Sequence, residues 1–410
     1  MALNDNKQIR YNDPAGGVKS DVDKGTSGRQ INTEFWHKKS LIEAAKETYF
    51  GALADTTSMP KNFGKKISMY QYLPILDDRN LNDQGINAAG ATYVGGNLYG
   101  SSKDVGVIAG KIPLLGETGG RANRVGTSRK VIEGTMQKIG FFTEFSRDAL
   151  DFDTDNELYG HLSREMIMAA NEMNEDLIQM DLLNGAGIVR YAGVATQDTG
   201  ITGEGANVSE VTYDDLQRLS IDLANNRTPK KTKVIVGSRM VDTRVVNSGY
   251  YMYVGSELVP TLTRMTDHHG NPAFVGVEHY AHAGVDGVNS INGEIGKVGD
   301  FRIIQVPEMQ QWAGAGATAT AANAGYMATG GKYNVYPLLT VGDQSFTTIG
   351  FQTDGKSTKF KIKYSNPGDD ISYSAQDPYG EVGFISIMFW YGSLIMRPER
   401  IGLVKTVARA

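Results

Sequence analysis

Apolar residues recur at spacings of three and four between positions 154 and 184. Leu158, Leu162, Met166, Ala169, Met173, Leu177 and Met180 fall along one side of a helix. Thr154 and Glu157 fit a capping box at its start, and Gly185 supplies a stop. About 30 residues at roughly 1.5 Å each give a helix of about 45 Å. Seven acidic side chains and a single arginine in this stretch predict one solvated face. The same reading predicts a helix over Thr33 to Asp55. There Phe35, Ile42, Tyr49 and Leu53 alternate with Lys38, Lys39, Glu43, Lys46 and Glu47 behind an Asn32 or Thr33 cap. A third helix spans Tyr213 to Asn226, with Leu216, Leu219 and Leu223 inward and Pro229 beyond its end. Ser238 caps a further short one.

Elsewhere the pattern is extended. Lys65 to Leu76 reads as a strand, and Arg129 to Ser146 as a long one through Val131, Ile132, Met136, Ile139, Phe141, Phe142 and Phe145. Between them lies a Gly/Ala/Asn/Ser-rich tract over 85–110. Two strands joined by such a tract form an extended β-loop, and a hairpin alone is marginal in water, so another surface must carry it. Strands are also predicted at Lys233 to Val236, Phe301 to Val306, within 333–364, at Val382 to Met396 and at Ile401 to Val407. Residues 313–331 read as a loop. Residues 1–32 read as an arm whose polar part, Tyr11 to Ile31, has little apolar surface of its own and is expected to be held by a neighbouring copy. No internal repeat is present, and the fold class is α+β.

Composition removes several functions. The chain has 410 residues, 41 basic and 46 acidic, for a net charge of -5. Cysteine is absent, so disulfide scaffolds, Cys-ligated metals and thiol nucleophiles are excluded. Glycine occurs 49 times and concentrates in the β-loop tract and the 313–331 loop. A dedicated nucleic-acid binder is normally strongly basic, and this chain is mildly acidic. The start lacks the basic and then apolar pattern of a signal peptide. The longest apolar run, Phe384 to Tyr391, is too short for a membrane-spanning helix and reads as a buried strand.

Candidate chemistry is thin. Gly350-Phe351-Gln352-Thr353-Asp354-Gly355-Lys356-Ser357 matches the phosphate-binding pattern GxxxxGK[ST]. That loop works only where a helix follows, so that amides face the phosphates. Here Thr358 to Tyr364 alternates with period two, and Asp354-Gly355 between two such runs predicts a hairpin instead. His268, His269, His279 and His282 are four of six histidines, but no HExxH arrangement accompanies them and they read as loop residues. Asp151, Asp153, Asp155 and Glu157 begin like a calcium loop. Asn156 stands where its glycine belongs and Leu162 where its bidentate glutamate belongs. Carboxylates complementing a helix start explain them better. No GxSxG is present. Neither a catalytic residue, a cofactor site nor a metal site is expected.

The order of elements carries more than any motif. An arm, a helix, a long β-loop, a spine-like helix, an α/β region and a long late strand resemble the major capsid proteins of tailed phages, with the Hong Kong 97 (Johnson) fold. The wording resembles the coat proteins of N-four-like (schitovirus) short-tailed phages. It does so at Thr33-Glu34-Phe35-Trp36, Leu81-Asn82-Asp83-Gln84-Gly85, Glu144-Phe145-Ser146-Arg147-Asp148, Asp181-Leu182-Leu183-Asn184-Gly185 and Gly299-Asp300-Phe301-Arg302-Ile303-Ile304.

The resemblance implies an N-terminal arm over 1–32, a helix over 33–55, an E-loop over 56–150 and a peripheral domain with the spine helix over 151–200. An axial domain over 201–370, a peripheral strand over 371–398 and a return over 399–410 complete it. It implies self-assembly as pentamers and hexamers into an icosahedral shell in the host bacterial cytoplasm. That shell encloses double-stranded DNA without gripping it. A scaffolding protein, a portal protein and a decoration protein are the implied partners, and no membrane is involved. Cleavage of the arm is not expected. Assembly contacts are expected at Trp36, at Phe141, Phe142 and Phe145, and at Met166, Met173 and Met180, all of which ordinary core packing would also explain. Two rivals are an encapsulin-type compartment and a nucleotide-dependent enzyme using 350–357.

Overall fold

The computed structural model describes residues 49–50, 55–59, 65–72, 129–152, 158–235, 243–280, 293–353, 356–357, 360–367 and 379–409, with single positions at 105, 109 and 117. The expected arm, residues 33–48 of the expected first helix with Trp36, the tract over 85–110 apart from 105 and 109, Asp153, Asp155, the Thr154/Glu157 cap, the Ser238 helix and His282 lie outside them.

Strands β1 (Asp55–Met59) and β2 (Lys66–Tyr72) come first, so Asp55, expected to end a helix, begins a strand. The expected strand at 129–146 is two, β3 (Arg129–Thr135) and β4 (Gln137–Ser146), divided at Met136. Met136 turns inward against Ile349 and Leu394, and its amide bonds to the Lys65 carbonyl at 2.9 Å. A short helix α1 (Arg147–Phe152) leads to the spine helix α2 (Leu158–Asn184). Gly185 ends α2, its amide reaching back to the Asp181 carbonyl at 2.8 Å.

The chain continues through β5 (Ile188–Tyr191), α3 (Tyr213–Asn225), β6 (Lys231–Ile235), β7 (Thr243–Gly255), α4 (Val259–Thr263), β8 (Phe274–Gly276), α5 (Val277–Tyr280), β9 (Glu294–Val298) and β10 (Phe301–Val306). Then follow β11 (Ala328–Thr329), β12 (Lys332–Tyr333), β13 (Tyr336–Val341), β14 (Phe346–Thr353), β15 (Lys356–Ser357) and β16 (Phe360–Ser365). The chain closes with β17 (Val382–Tyr391), β18 (Ser393–Ile395) and β19 (Ile401–Thr406).

The largest sheet has eight strands in the order β5-β19-β13-β7-β10-β9-β8, with β6 also on β7. Both of its faces are buried. Tyr250, Met252, Val254, Leu338 and Val404 pack with Leu216, Leu219 and Leu223 of α3 on one side. Tyr251, Tyr253, Leu339, Val341 and Leu403 face the core that holds α2 on the other. Fully burying one such leucine is worth about 1.5–3 kcal/mol, so these faces fix where α3 can sit. A capping box starts α3: Thr212 Oγ1 accepts from the Asp215 amide at 3.4 Å, and Asp215 Oδ2 accepts from the Thr212 amide at 3.0 Å.

A three-stranded sheet, β16-β17-β4, lies beside the spine helix. Alternation along β17 is strict. Ile385, Ile387, Phe389 and Tyr391 are buried and join Met166, Ala170, Ile178 and Leu182 of α2 in the main core. Gly392 breaks the late strand expected at 382–396, and β18 joins β14 in a further sheet with β1. Residues 346–365, placed by sequence in 201–370, pair with β1, β17 and β18 rather than with the eight-stranded sheet. Two strands, β2 and β3, form a ribbon that pairs with no third strand among the described residues. No helix among those residues is long and apolar enough to cross a membrane.

Candidate assembly interface

The ribbon β2–β3 presents one face to solvent. Its register sets Tyr70 opposite Val131 and Tyr72 opposite Arg129. Tyr70, Tyr72 and Val131 are 58%, 72% and 47% exposed. The Arg129 guanidinium lies 4.6 Å from the Tyr70 ring centroid, and Lys66 pairs with Glu133 on the same face. The opposite face, through Ile67 and Ile132, packs onto the small cluster of Met136, Ile349 and Leu394. So the ribbon is anchored at its base, and its apolar stripe faces away.

A second surface with exposed apolar residues among those described is the outer face of β16-β17-β4, whose Trp390 end packs against the Met136, Ile349 and Leu394 cluster. Opposite residues of an antiparallel pair share a face, so Ser386 with Phe142 and Trp390 with Lys138 define it. Phe384 and Met388 complete it, half-buried, while Lys361 and Lys363 of β16 stand opposite Met388 and Ser386. Phe142 is the most exposed of these aromatics, at 64%. Lys65 Nζ sits 5.5 Å from the Trp390 ring centroid, at the end of the face nearest the ribbon.

These observations sort the residues expected at contacts. Phe145 and Met166 are buried in the main core, and Phe141 packs against it half-buried. Phe142, Met173 and Met180 keep exposed surface, the methionines 37% and 41%. Phe141 and Phe145 share the inner face of β4 and Phe142 the outer, because neighbouring strand positions alternate. Met173 and Met180 lie two turns apart on α2. The structure therefore does not gather the six described positions into one patch.

Sequence reasoning missed the ribbon tyrosines. Their signal was present, since Ser68, Tyr70 and Tyr72 alternate with Ile67, Met69 and Gln71.

The chemical motifs stay apart from any site. Gln352 pairs with Ser357 and Thr353 with Lys356, so the described parts of the 350–357 run are paired strands, and the next described element is β16 rather than a helix. His268 Nε2 lies 3.4 Å from Asp214 Oδ1 and edge-on to Tyr213, while the Asp267 carboxylate accepts from the His269 and Asn271 amides. Among the described residues no group of three or more His, Asp or Glu side chains is placed to hold a metal ion.

Carboxylates instead pin loops. Glu204 accepts from Tyr333 Oη at 2.6 Å and from the Thr320 amide and hydroxyl at 2.6 and 2.7 Å. Those bonds hold its carboxyl below the ordinary range, while burial and the facing carboxylate push the Tyr333 phenol to about 12. Glu210 does the same work for Tyr326, Thr261 and Arg409. Asp181 of α2 accepts from Tyr391 Oη at 2.5 Å and from the Ser393 hydroxyl, tying the spine helix to β17 and β18. Burial and Asp181 together push the Tyr391 phenol far up.

A family model described as phage capsid protein matches residues 130–367. The major capsid protein of Pseudomonas phage KPP21 is 54% identical over 403 residues, 98% of both chains. The capsid of Ralstonia phage GP4 superposes with a TM-score of 0.57 at 12% identity, over 93% of this chain and 97% of that one. The head structure of Helicobacter pylori bacteriophage KHP40 reaches 0.50 at 8% identity, over 98% and 99%. The last two establish the fold, which is Hong Kong 97-like. These relatives are phage capsids, neither encapsulins nor nucleotide-dependent enzymes. The matched region exceeds half of the chain and the KPP21 relative spans nearly all of it, so the chain belongs to the phage major capsid proteins, the structural subunits of the virion shell.

Proposed function

We propose that the exposed stripe of the β2–β3 ribbon lies across the outer face of β16-β17-β4 on a neighbouring copy. The observation that carries this is the ribbon's outer face: Tyr70, Tyr72 and Val131 are turned to water while the opposite face packs onto the subunit. The outer sheet face offers matching chemistry, with Phe142, Phe384 and Met388 for the aromatics. Repeating this contact around five-fold and six-fold rings would build pentamers and hexamers. Met173, Met180 and Trp36 would then contribute secondary contacts.

Within the family, the quoted segments favour the N-four-like coat proteins. The same reading assigns a scaffolding protein, a portal and a decoration protein as partners, and assembly in the host bacterial cytoplasm. It also has the shell enclose double-stranded DNA without gripping it, because tight binding rests on many basic phosphate contacts and this subunit carries a net charge of -5.

The absence of cysteine makes the test clean. Phe142→Cys and Tyr72→Cys subunits are labelled with a maleimide before and after shell formation, and shells are purified by sedimentation. Both thiols should react readily in free subunits and become protected in shells. Equal labelling in the two states would sink the docking.

A further inference from the structure

The last strands of the chain are structurally central. Among the described strands, β4 and β16 pair with β17 alone, and β5 pairs with β19 alone. β19 is inserted between β5 and β13 in the eight-stranded sheet. Among the described residues, all four buried apolar clusters draw on this segment. Ile385, Ile387, Phe389, Tyr391, Ile401 and Leu403 serve the main core, Val404 and Ala408 the second, Val407 the third and Leu394 the fourth.

The same segment fastens three chain crossings. The Gly187 amide donates to the Pro398 carbonyl at 2.9 Å and the Gly342 amide to the Arg400 carbonyl at 3.0 Å. The Met396 and Arg397 amides donate to the Ser345 carbonyl at 2.9 and 3.0 Å. Charges are enclosed there: Glu399 is 0% exposed, with Arg397 Nη1 3.9 Å from its carboxylate, and Arg400 donates to the Asp343 carbonyl at 3.1 Å. Enclosing charge is costly unless the surrounding contacts are complete, so a half-seated segment gains little.

We propose that residues 382–408 act as a folding keystone. The subunit becomes competent for assembly only once these final strands have inserted. Until then β4, β5 and β16 lack their partners and the apolar side of α2 lacks the part of its cover that Ile385, Ile387, Phe389 and Tyr391 supply. Chains in which this segment is missing or unseated are therefore kept out of the shell. Insertion of β19 between strands distant in sequence is also a step with a high loop-closure cost, and so a slow one.

The test uses the full chain, unfolded in urea and refolded, with pulsed hydrogen exchange read by mass spectrometry. Amides of β4, β16 and β5 should gain protection in the same kinetic step as β17 and β19, and light scattering should show no shells before that step. A Gly187→Ala chain, whose added Cβ would stand 2.6 Å from the Pro398 carbonyl carbon and oxygen, should delay that step roughly tenfold or more, the scale of a small overpacked contact. A variant that stops at the earlier protection pattern is the same result at its limit. Protection of β4 or β5 ahead of β17 and β19, or Gly187→Ala refolding at the parental rate, overturns the proposal. Exchange reads the free subunit, so failure of the ribbon docking would leave this result intact.

Discussion

Phe142→Ser separates shell contact from subunit stability. Phe142 is 64% exposed on the outer face of the peripheral sheet. A phenylalanine buries about 200 Å² when fully covered, so about 130 Å² remains for a neighbour to cover. At about 25 cal/mol per Å² that is about 3 kcal/mol for each contact, and area converts incompletely to affinity. The expected loss is therefore about 1–3 kcal/mol per contact, or roughly a fivefold to hundredfold higher concentration for the onset of shells. Sedimentation of subunits stepped in concentration reads that onset. Urea unfolding of the unassembled subunit should shift by no more than about 0.5 kcal/mol, as for other surface changes. Phe145→Ala, three residues along but on the inner face and 9% exposed, should do the reverse and cost the free subunit about 3–5 kcal/mol. The argument fails if Phe142→Ser assembles at the parental concentration, or if it destabilises the free subunit as Phe145→Ala does.

Three further outcomes follow from the same geometry. Glu294 and Arg302 form a two-pronged pair at 2.6 and 2.7 Å, with side chains 0% and 5% exposed. Glu294→Ala alone should cost about 3–5 kcal/mol by stranding the guanidinium, and Glu294→Leu with Arg302→Met should cost less than either single change; additive losses in urea unfolding would contradict this. The Glu204 clasp has a depressed carboxyl and a Tyr333 phenol raised to about 12. Its contribution is thus present above the carboxyl's ordinary value of 4.5 and fades as pH falls through the lower folded value, and it is lost again as pH rises from 10.0 towards about 12. Limited proteolysis of 313–331 should show both limbs, and Tyr333→Phe should flatten the alkaline one. Finally, Gly160 stands in α2 with nothing within 4 Å of an added Cβ, so Gly160→Ala should raise subunit stability by about 0.5–1 kcal/mol, with a lower urea midpoint as the contrary result.

Legibility in the sequence followed one-sided burial. α3 was readable because Leu216, Leu219 and Leu223 face the sheet while Gln217, Arg218 and Ile221 face water. β17 was readable as a strand, but its break at Gly392 was not, because Ser393 to Ile395 continues the apolar run into a different sheet. β7 escaped notice altogether. It is the middle of the eight-stranded sheet, so Tyr250, Tyr251, Met252, Tyr253 and Val254 are buried on alternate faces and no polar residue marks a period. The division of β3 from β4 depended on Met136 meeting Ile349 and Leu394, residues more than two hundred positions away. The proposed contact surfaces were legible only as aromatic positions. Which side of β4 each one faced needed the pairing with β17.

The glycine content also takes a different meaning in the described residues. By sequence it pointed to loops that adapt to unlike neighbours. In the structure, several glycines stand where chain segments press together. An added Cβ would lie 2.6 Å from Pro398 at Gly187, 2.8 Å from the Tyr333 carbonyl at Gly316 and 2.7 Å from Leu219 at Gly402. These contacts hold the subunit's layers closer than any side chain would allow, and close packing resists deformation. That matters for a shell without disulfides. On the proposed docking, each contact of about 1–3 kcal/mol is repeated around every ring, and a subunit that flexed at its crossings would dissipate that energy in ordering itself. Stiffness inside the subunit is thus a condition for weak contacts between subunits to add up. The ribbon, tied down only at its base, is where the described structure leaves freedom for neighbours of different geometry.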